Sequence, residues 1–224
     1  MLSTIELLRL RVRARDGEVG SVRDLTFSDA DWTVRDLDLD TGAWIFGRRV
    51  RIDPDAVVDV DAATGMLELA LTREEVKALP DASTDEDILR WHESQTVVQA
   101  PETMASGGTT PAPVNPDAAL HSLRDVLDYS VVCEDRPAGV LVGFLIDTVA
   151  WDLTLALVRL NDSEAMVLLP TRLITAISWP ERMMQTSIEA ARLRSAPAYD
   201  PRIQDERVFL PIVTDYYATH TPAA

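Results

Sequence analysis

Residues 16–54 alternate short apolar and polar segments with turn-forming dipeptides, and this pattern constrains the fold more than any other feature of the sequence. Asp16-Gly17 can adopt the positive φ angles of a hairpin turn, and Asp40-Thr41-Gly42 and Asp53-Pro54 are further turn signals. Between the turns, side chains alternate with the period of two that is typical of half-buried strands. Turns at intervals of roughly eight to twelve residues favour a small barrel or sandwich. We predict a barrel, because a barrel leaves no open sheet edge.

Two details refine this first barrel. The apolar face switches partway through residues 32–39, and Gly20 interrupts the preceding strand, so both places are predicted to bulge or bend. Thr72 is followed three residues later by Glu75, which is the capping-box arrangement of a helix N-terminus. A short helix before Pro80 is therefore predicted to end the barrel.

The pattern returns in the second half of the chain. The correspondences that we identify are residues 143–147 with 20–24, Trp151 with Trp32, residues 167–170 with 50–54, and residues 186–192 with the first short helix. A second copy of the same elements in the same order indicates an internal duplication.

The predicted fold is therefore mainly β, with two small barrels in tandem. We place the first barrel at residues 1–82, a linker at 83–117, the second barrel at 118–198 and a C-terminal tail at 199–224. The linker is predicted to be helical in part over residues 81–98, and its remainder is rich in Pro and Gly.

Charge and composition exclude several classes of function. The 224-residue chain has a formal net charge of -16, and such a field repels phosphate backbones, so no nucleic-acid partner is expected. Cys133 is the only cysteine, so no internal disulfide can form, and its apolar neighbours predict a buried thiol. No signal peptide and no stretch that could insert into a bilayer are recognised, so we expect a soluble cytoplasmic protein.

Four motifs follow one another in the first barrel: Asp16-Gly17-Glu18-Val19-Gly20 with Asp24, Trp32 with Arg35, Asp40-Thr41-Gly42-Ala43-Trp44, and Leu71-Thr72-Arg73-Glu74. Their order resembles the PRC-barrel family, which is named for the cytoplasmic domain of the photosynthetic reaction-centre H subunit. The match is to soluble bacterial proteins with two such barrels. Their second copy ends in a Tyr-Asp-Pro segment and a tyrosine-rich tail, as Tyr199-Asp200-Pro201 and Asp215-Tyr216-Tyr217 do here.

The second copy departs from the family pattern in two loops. Arg136-Pro137-Ala138-Gly139 replaces the Asp-Gly turn, and Leu160-Asn161-Asp162-Ser163 replaces a longer loop with a second Trp. The resemblance implies a protein-interaction module without a catalytic residue set. In the H subunit the domain caps a membrane complex and assists proton delivery through surface carboxylates, but no residue of that path matches this chain.

Residues that could bind a metal ion or take part in catalysis are scattered along the sequence. His92, His121 and His220 lie in separate segments, so no histidine-based metal site is predicted. Asp36, Asp38 and Asp40 alternate along one strand, where we expect exposed acids on a barrel wall rather than the alternative, a cation site. The sequence therefore predicts no enzyme: no catalytic, cofactor-binding or metal-binding residues are assigned.

Four aromatic residues are candidates for contact with a protein partner. Trp44 lies between Gly42 and Gly47 in a loop where an exposed aromatic side chain could anchor a partner. Trp91 is expected to dock the linker helix on a barrel, with recruitment of a partner as the alternative. Tyr216 and Tyr217 in the tail complete the set. The other tryptophans, namely Trp32, Trp151 and Trp179, are expected in the core.

These observations favour a soluble interaction or assembly module with an unidentified protein partner, which could also be a second copy of the chain. The alternative is an accessory subunit of a membrane photosynthetic or electron-transfer complex, as the likeness to the H subunit suggests. An enzyme with a carboxylate site is the least favoured hypothesis.

Overall fold

The computed structural model describes residues 1–42, 44, 47–82, 120–163, 165–200 and 206–218. The predicted linker at 83–117 lies outside the described residues, as do Trp91, His92 and His220.

The described residues up to Ala82 form seven strands and two short helices. The strands are β1 (Leu2–Ser3), β2 (Arg11–Ala14), β3 (Gly17–Ser28), β4 (Val34–Asp40), β5 (Arg49–Ile52), β6 (Val57–Asp61) and β7 (Met66–Leu69). The helices are α1 (Thr4–Leu7) and α2 (Arg73–Ala78), and a 3₁₀ turn spans Pro54–Ala56. Helix α2 begins with the predicted capping box: Thr72 Oγ1 accepts a hydrogen bond from the N–H of Glu75, whose carboxylate accepts one from the N–H of Thr72.

The described residues from Leu120 onward repeat the same order and add a final helix. The strands are β8 (Leu120–Ser122), β9 (Ser130–Val132), β10 (Pro137–Asp147), β11 (Asp152–Leu160), β12 (Met166–Pro170), β13 (Ile174–Ser178) and β14 (Met183–Thr186). The helices are α3 (Leu123–Val126), α4 (Ala190–Arg194) and α5 (Glu206–Ala218), with a 3₁₀ turn at Thr171–Leu173.

The protein is mainly β, with two seven-stranded sheets of identical topology. One sheet has the order β5-β4-β3-β2-β7-β6 and the other the order β12-β11-β10-β9-β14-β13. In both, the central pair β2–β7 or β9–β14 is parallel and the neighbouring pairs are antiparallel. No pairing among the described residues joins the two end strands of a sheet, so the predicted closure into barrels stays a prediction.

Each half donates its first strand to the sheet of the other half. Leu2 and Ser3 of β1 pair with Ile146 and Leu145 of β10. In the same way, β8 pairs with the end of β3, with His121 opposite Phe27. The halves are therefore interlocked by a reciprocal exchange, which the sequence pattern did not predict.

The exchange corrects one predicted correspondence between the halves. Because β1 and β8 dock in the same register, Ile146 is the counterpart of Phe27, and Gly143 is the counterpart of Asp24. The expected match of residues 143–147 with 20–24 is thus wrong by four residues. Asp147 instead has the role of Ser28 at the strand end: its Oδ1 accepts from the N–H of Val149 at 2.8 Å, as Ser28 Oγ accepts from the N–H of Ala30.

Both predicted irregularities of the first sheet are confirmed. Thr26 pairs with Asp36 and Phe27 pairs with Val34, so Arg35 is the extra residue of a bulge where the apolar face switches. Gly20 lies beside a second bulge with φ at 150°, and a Cβ there would lie 2.0 Å from the carbonyl oxygen of Asp40. This close approach of two strands requires glycine.

The core runs through both sheets and across their junction. At the junction the ring of Phe27 lies 5.8 Å from that of Trp32 and 5.6 Å from that of Phe144. Phe27 and Phe144 belong to the two strands that receive the exchanged segments, and Trp32 lies in the connection between β3 and β4. Apolar burial, the dominant favourable contribution to folding, therefore continues from one half into the other.

Part of the predicted tail at residues 199–224 is helical. In α5 the side chains of Phe209, Val213 and Tyr217 recur every four residues and are buried, which is the spacing of one helix face. This periodicity was present in the sequence and could have predicted the helix. Among the described residues, no helix is both long and apolar enough to cross a membrane.

Candidate functional site

The outer face of the first sheet carries opposed charges. On β4, Leu37 and Leu39 are fully buried, so Asp36, Asp38 and Asp40 share the opposite face. Across the strand pair, Asp38 lies opposite Arg51, and Asp40 lies opposite Arg49. Opposite charges placed directly across a sheet stabilise the pairing. We call these five residues, Asp36, Asp38, Asp40, Arg49 and Arg51, the ionic face.

The acids of the ionic face are half-buried, not exposed as the sequence suggested, and arginines of the neighbouring strand lie opposite Asp38 and Asp40. Only 17% of the Asp38 side chain is exposed, and its Oδ2 lies 3.9 Å from a guanidinium nitrogen of Arg49. Burial raises the pKa of Asp38 and of Asp36, and the nearby arginines oppose this shift. Oδ1 of Asp38 is buried and has no hydrogen-bond partner among the described residues.

The equivalent face of the second sheet is apolar. Leu157 and Leu168 occupy the places of Asp38 and Arg51, and they pair across β11 and β12 in the same way. Leu155 and Pro170 form the next pair along the same two strands. All four side chains are buried, and α5 packs against β12. The two halves therefore share a framework but differ in the chemistry of their outer faces.

A carboxylate secures the strand that the second half donates to the first. Oδ2 of Asp24 accepts a hydrogen bond from the hydroxyl of Ser122 at 2.6 Å. Oδ1 accepts from the backbone N–H groups of Leu25 at 2.8 Å and Arg124 at 3.2 Å. Burial raises the pKa of Asp24, although these hydrogen bonds favour its charged form. This residue is thus a structural acid at the junction of the two halves.

The docking of β1 on β10 uses different side chains from the docking of β8 on β3. Gly143 replaces Asp24, and the N–H of Phe144 donates to Oγ1 of Thr4 at 2.9 Å. A Cβ on Gly143 would lie only 2.8 Å from the same oxygen. The two docking positions are equivalent in backbone register but not interchangeable in their side chains.

A cleft of about 460 Å³ opens where both halves meet α5. Its walls include Trp32 and Asp31 from the first half, Leu155 and Arg172 from the second, and Leu210 and Thr214 from α5. The floor is apolar and the rim charged: Leu155 is buried, whereas Asp31 and Arg172 are exposed. Apolar clefts with a few polar groups at the rim are typical of binding sites.

Trp32 is positioned in this cleft by backbone geometry. Its φ is 62°, in the left-handed region that a bulky residue seldom adopts, and its N–H donates to the carbonyl of Ser28 at 2.9 Å. The ring also stacks on Phe27 and lies 5.8 Å from Phe144, so only part of it remains accessible. Trp151, its counterpart, is buried with φ at 57°, in agreement with its predicted place in the core.

The structure places Trp44 partly against its own chain. Its ring is half-buried and faces the guanidinium of Arg73, whose Cζ lies 4.6 Å from the ring centroid. Such a contact between a cation and an aromatic ring holds the side chain in place. Gly42 and Gly47 on either side are exposed, but the Trp44 ring itself is not fully exposed as the sequence suggested.

The two tyrosines of α5 pack inside the chain. Tyr217 is fully buried, and burial raises the pKa of its hydroxyl. Tyr216 is half-buried; its hydroxyl donates to the carbonyl of Arg192 at 2.7 Å, and the Arg192 guanidinium donates to the carbonyl of Tyr216 at 2.8 Å. These contacts join α5 to α4. Because Tyr217 is fully buried, its side chain is not accessible to a partner.

The remaining candidates lie elsewhere. Trp91 falls outside the described residues. The expectation that Trp179 lies in the core is wrong: it is 67% exposed, because it sits in the loop between β13 and β14 rather than within a strand. Of the three predicted contact residues that the structure describes, Trp44 packs on Arg73 of the first half, whereas Tyr216 and Tyr217 pack within the second half.

Asp24, Trp32 and Arg172 were not identified as site residues from the sequence. Asp24 appeared only as part of a motif, and its partners Ser122 and Arg124 are about a hundred residues away.

The sequence did contain a signal for a different feature, the turn that begins the long strand in each half. Asp135 precedes the altered turn of the second half and accepts from the N–H of Ala190, as Asp16 accepts from the N–H of Arg73. The first residue of the turn was therefore conserved between the halves although the glycine was not.

Within the described ranges, no group of three or more His, Cys, Asp and Glu side chains is placed to hold a metal ion. His121 is buried near Phe27, and its Nε2 lies 3.1 Å from Oδ2 of Asp29. No family model matches the chain, and no curated protein matches it.

Proposed function

We propose that this protein is a non-catalytic interaction module made of two PRC-type barrels that are interlocked by strand exchange. The proposal is supported by the motif likeness of residues 16–44 and 71–74 and by the same strand order in both sheets.

The observation that carries this proposal is the cleft between the halves and α5. It is assembled from three separate parts of the chain, so its shape depends on their rigid docking. Trp32 forms part of its wall, and aromatic side chains that become buried in a contact supply much of the binding energy between proteins. The charged groups at its rim, Asp31 and Arg172, exclude a purely apolar occupant.

These features define the partner by chemistry. It supplies a protein segment with one apolar side chain for the space over Trp32 and Leu155. It also supplies polar or charged groups for the exposed Asp31 and Arg172. Such a segment buries a small apolar centre within a polar rim, which is the usual anatomy of a protein interface.

The test is a quantitative capture experiment with the purified full-length chain as bait. Arg172→Glu and Thr214→Arg alter exposed rim residues of the cleft, so both variants should fold normally. Val58→Ser is the matched control, since Val58 is 67% exposed and lies on β6. We expect a defined protein to be captured by the wild type and the control, with at least a tenfold loss for both cleft variants.

Two results would contradict the proposal. One is the absence of any saturable partner combined with a monomeric mass in light scattering. The other is capture that the cleft variants leave unchanged. Recovery of a membrane electron-transfer complex would identify the partner class of the alternative hypothesis, and recovery of the chain itself would identify a homodimer. The same capture with Trp44→Ala tests the contact predicted for that side chain.

A further inference from the structure

The charged groups that line the cleft between the halves and α5 are not equally available to a partner. Two of them are carboxylates, and both are engaged within the chain. Asp31 accepts hydrogen bonds from the N–H of Thr33 and from the guanidinium of Arg35. Asp152 accepts one from the hydroxyl of Thr33 at 2.8 Å. Each of these acids therefore has a partner before any ligand binds.

Arg172, at the rim of the same cleft, has no such partner. Its side chain is exposed, and its guanidinium makes no hydrogen bond or ion pair with any residue that the structure describes. A guanidinium has five N–H donors and no acceptor, and it stays charged near neutral pH. The chemistry that the cleft leaves available is therefore a cationic donor beside the apolar side chains of Trp32 and Leu155.

The turn that carries Arg172 fixes its position beside this apolar wall. Arg172 is the middle residue of the 3₁₀ turn Thr171–Leu173, and the other two residues of the turn are buried. The hydroxyl of Thr171 donates to the carbonyls of Leu153 at 2.9 Å and of Thr154 at 3.1 Å. Both acceptors belong to β11 and line the cleft. The backbone that holds the guanidinium is thus attached to the strand that forms one wall.

The duplication supplies an internal comparison for this position. The 3₁₀ turn Pro54–Ala56 is the counterpart in the first half, and its exposed middle residue is Asp55. By the same correspondence, Asp36 stands where the second half has Leu155. The first half therefore has two acids where the second half has a cation and an apolar side chain. At these equivalent positions, only the second half combines apolar surface with a guanidinium.

We propose that the partner segment bound in the cleft carries an acidic side chain, Asp or Glu, whose carboxylate pairs with Arg172 while a neighbouring apolar side chain contacts Trp32 and Leu155. A guanidinium and a carboxylate form two parallel hydrogen bonds, which give the contact a fixed orientation. Because the net charge of -16 repels a strongly acidic segment, this acid stands in an otherwise uncharged sequence. The inference rests on the proposed function and names the chemistry by which the same cleft selects its partner.

Selection of random linear peptides displayed on phage tests the inference without knowledge of the natural partner. On the purified full-length chain, we expect the enriched peptides to share an apolar residue with an Asp or Glu close to it. On Arg172→Glu the same library should yield Lys or Arg in place of the acid, because the charge at the rim is reversed. Asp55→Lys reverses the charge at the equivalent turn of the first half, and this matched control should select the same peptides as the wild type.

The most strongly enriched peptide then gives a quantitative measure by fluorescence anisotropy. Replacing its acidic residue with the corresponding amide should weaken binding to the wild type at least fivefold. The same replacement should change binding to Arg172→Gln less than twofold, because the charge that the acid pairs with is already absent. Arg172 is exposed, so both variants at this position should fold like the wild type, which far-UV circular dichroism checks.

Four outcomes would overturn the inference: no enriched peptide, enriched peptides without a shared acid, the same peptides on the wild type and on Arg172→Glu, or an equal loss from the amide peptide with the wild type and with Arg172→Gln. A changed selection on Asp55→Lys would count against it as well, since the effect would then be one of overall charge. The proposed function is judged separately, because it fails only if the capture experiment also recovers no partner.

Discussion

The carbonyl oxygens of Trp32 and Trp151 each accept a backbone hydrogen bond from the opposite half of the chain, and both bonds are 2.8 Å long. Val34 donates to Trp151, and Leu153 donates to Trp32. Beside them, Oγ1 of Thr33 donates to Oδ1 of Asp152 at 2.8 Å. Equivalent residues therefore meet at the junction, as they do across the two-fold axis of a symmetric dimer. The duplicated chain has the geometry of such a dimer within one polypeptide.

The first prediction concerns the space between Gly143 and Thr4. Gly143→Ala places a Cβ 2.8 Å from Oγ1 of Thr4, so the donated strand must shift or lose its bond from Phe144. We expect a loss of about 1–3 kcal/mol in the free energy of unfolding, measured by urea denaturation. Thr4→Ala removes the obstructing oxygen, so Gly143→Ala should cost less in that background than in the wild type. Equal costs in the two backgrounds would show that the contact is not formed.

The second prediction concerns the acceptor at the other exchange. Asp24→Ala leaves the Ser122 hydroxyl and the Arg124 N–H without their acceptor. These donors are at most partly buried, and a hydrogen bond contributes about 0.5–1.5 kcal/mol net, so the free energy of unfolding should fall by about 1 kcal/mol. Asp59→Ala, at an exposed position, should change it by less than about 0.5 kcal/mol. A variant at Asp24 that is as stable as this control would argue against the role of the carboxylate.

The third prediction compares the two outer faces at one equivalent position. Leu168→Ala removes a fully buried side chain of β12, the strand that α5 contacts, and should cost about 2–5 kcal/mol in chemical denaturation. Arg51→Ala, its counterpart, removes a half-buried guanidinium that acts on Asp36 and Asp38 through its charge, and it should cost less than about 1 kcal/mol. Similar costs at the two positions would contradict the assignment of one apolar and one ionic face.

The fourth prediction concerns the reactivity of Cys133. The thiol is 3% exposed, and burial raises its pKa, so less thiolate is present at a given pH than in a free cysteine. At pH 8 iodoacetamide should therefore modify the folded protein at least a hundred times more slowly than the protein in urea. Because the pKa of Cys133 is raised, the rate of modification should still increase with pH after an ordinary thiol is fully ionised. Modification of the native protein at the rate of a free thiol would contradict this burial.

Local structure could be predicted from the sequence wherever the signal was local. The capping box at Thr72, the turn at Asp16-Gly17 and the bulge near Arg35 depend on residues close together in the chain, and all three are confirmed. The strand exchange could not be predicted in this way. Leu2 and Ser3 have the same local pattern whether they pair with β3 or with β10, and only tertiary contacts such as Thr4 with Phe144 select the partner.

The candidate cleft was missed for a related reason. Trp32 and Arg172 contribute to it from opposite halves, and Leu210 comes from a helix that was predicted only as a tail. The difference between the outer faces was nevertheless readable in the sequence. Asp38 and Arg51 alternate with apolar residues, whereas Leu157 and Leu168 stand in continuous apolar runs, as strands buried on both faces do.

Nuclear Overhauser effects between backbone protons of the donated strands and their acceptors test the central claim most directly. The reciprocal exchange predicts contacts of residues 2–3 with 145–146 and of residues 120–122 with 26–28. Contacts of residues 2–3 with 26–27, or of residues 120–122 with 145–147, would instead mean that each half closes on itself, and this result would contradict the account.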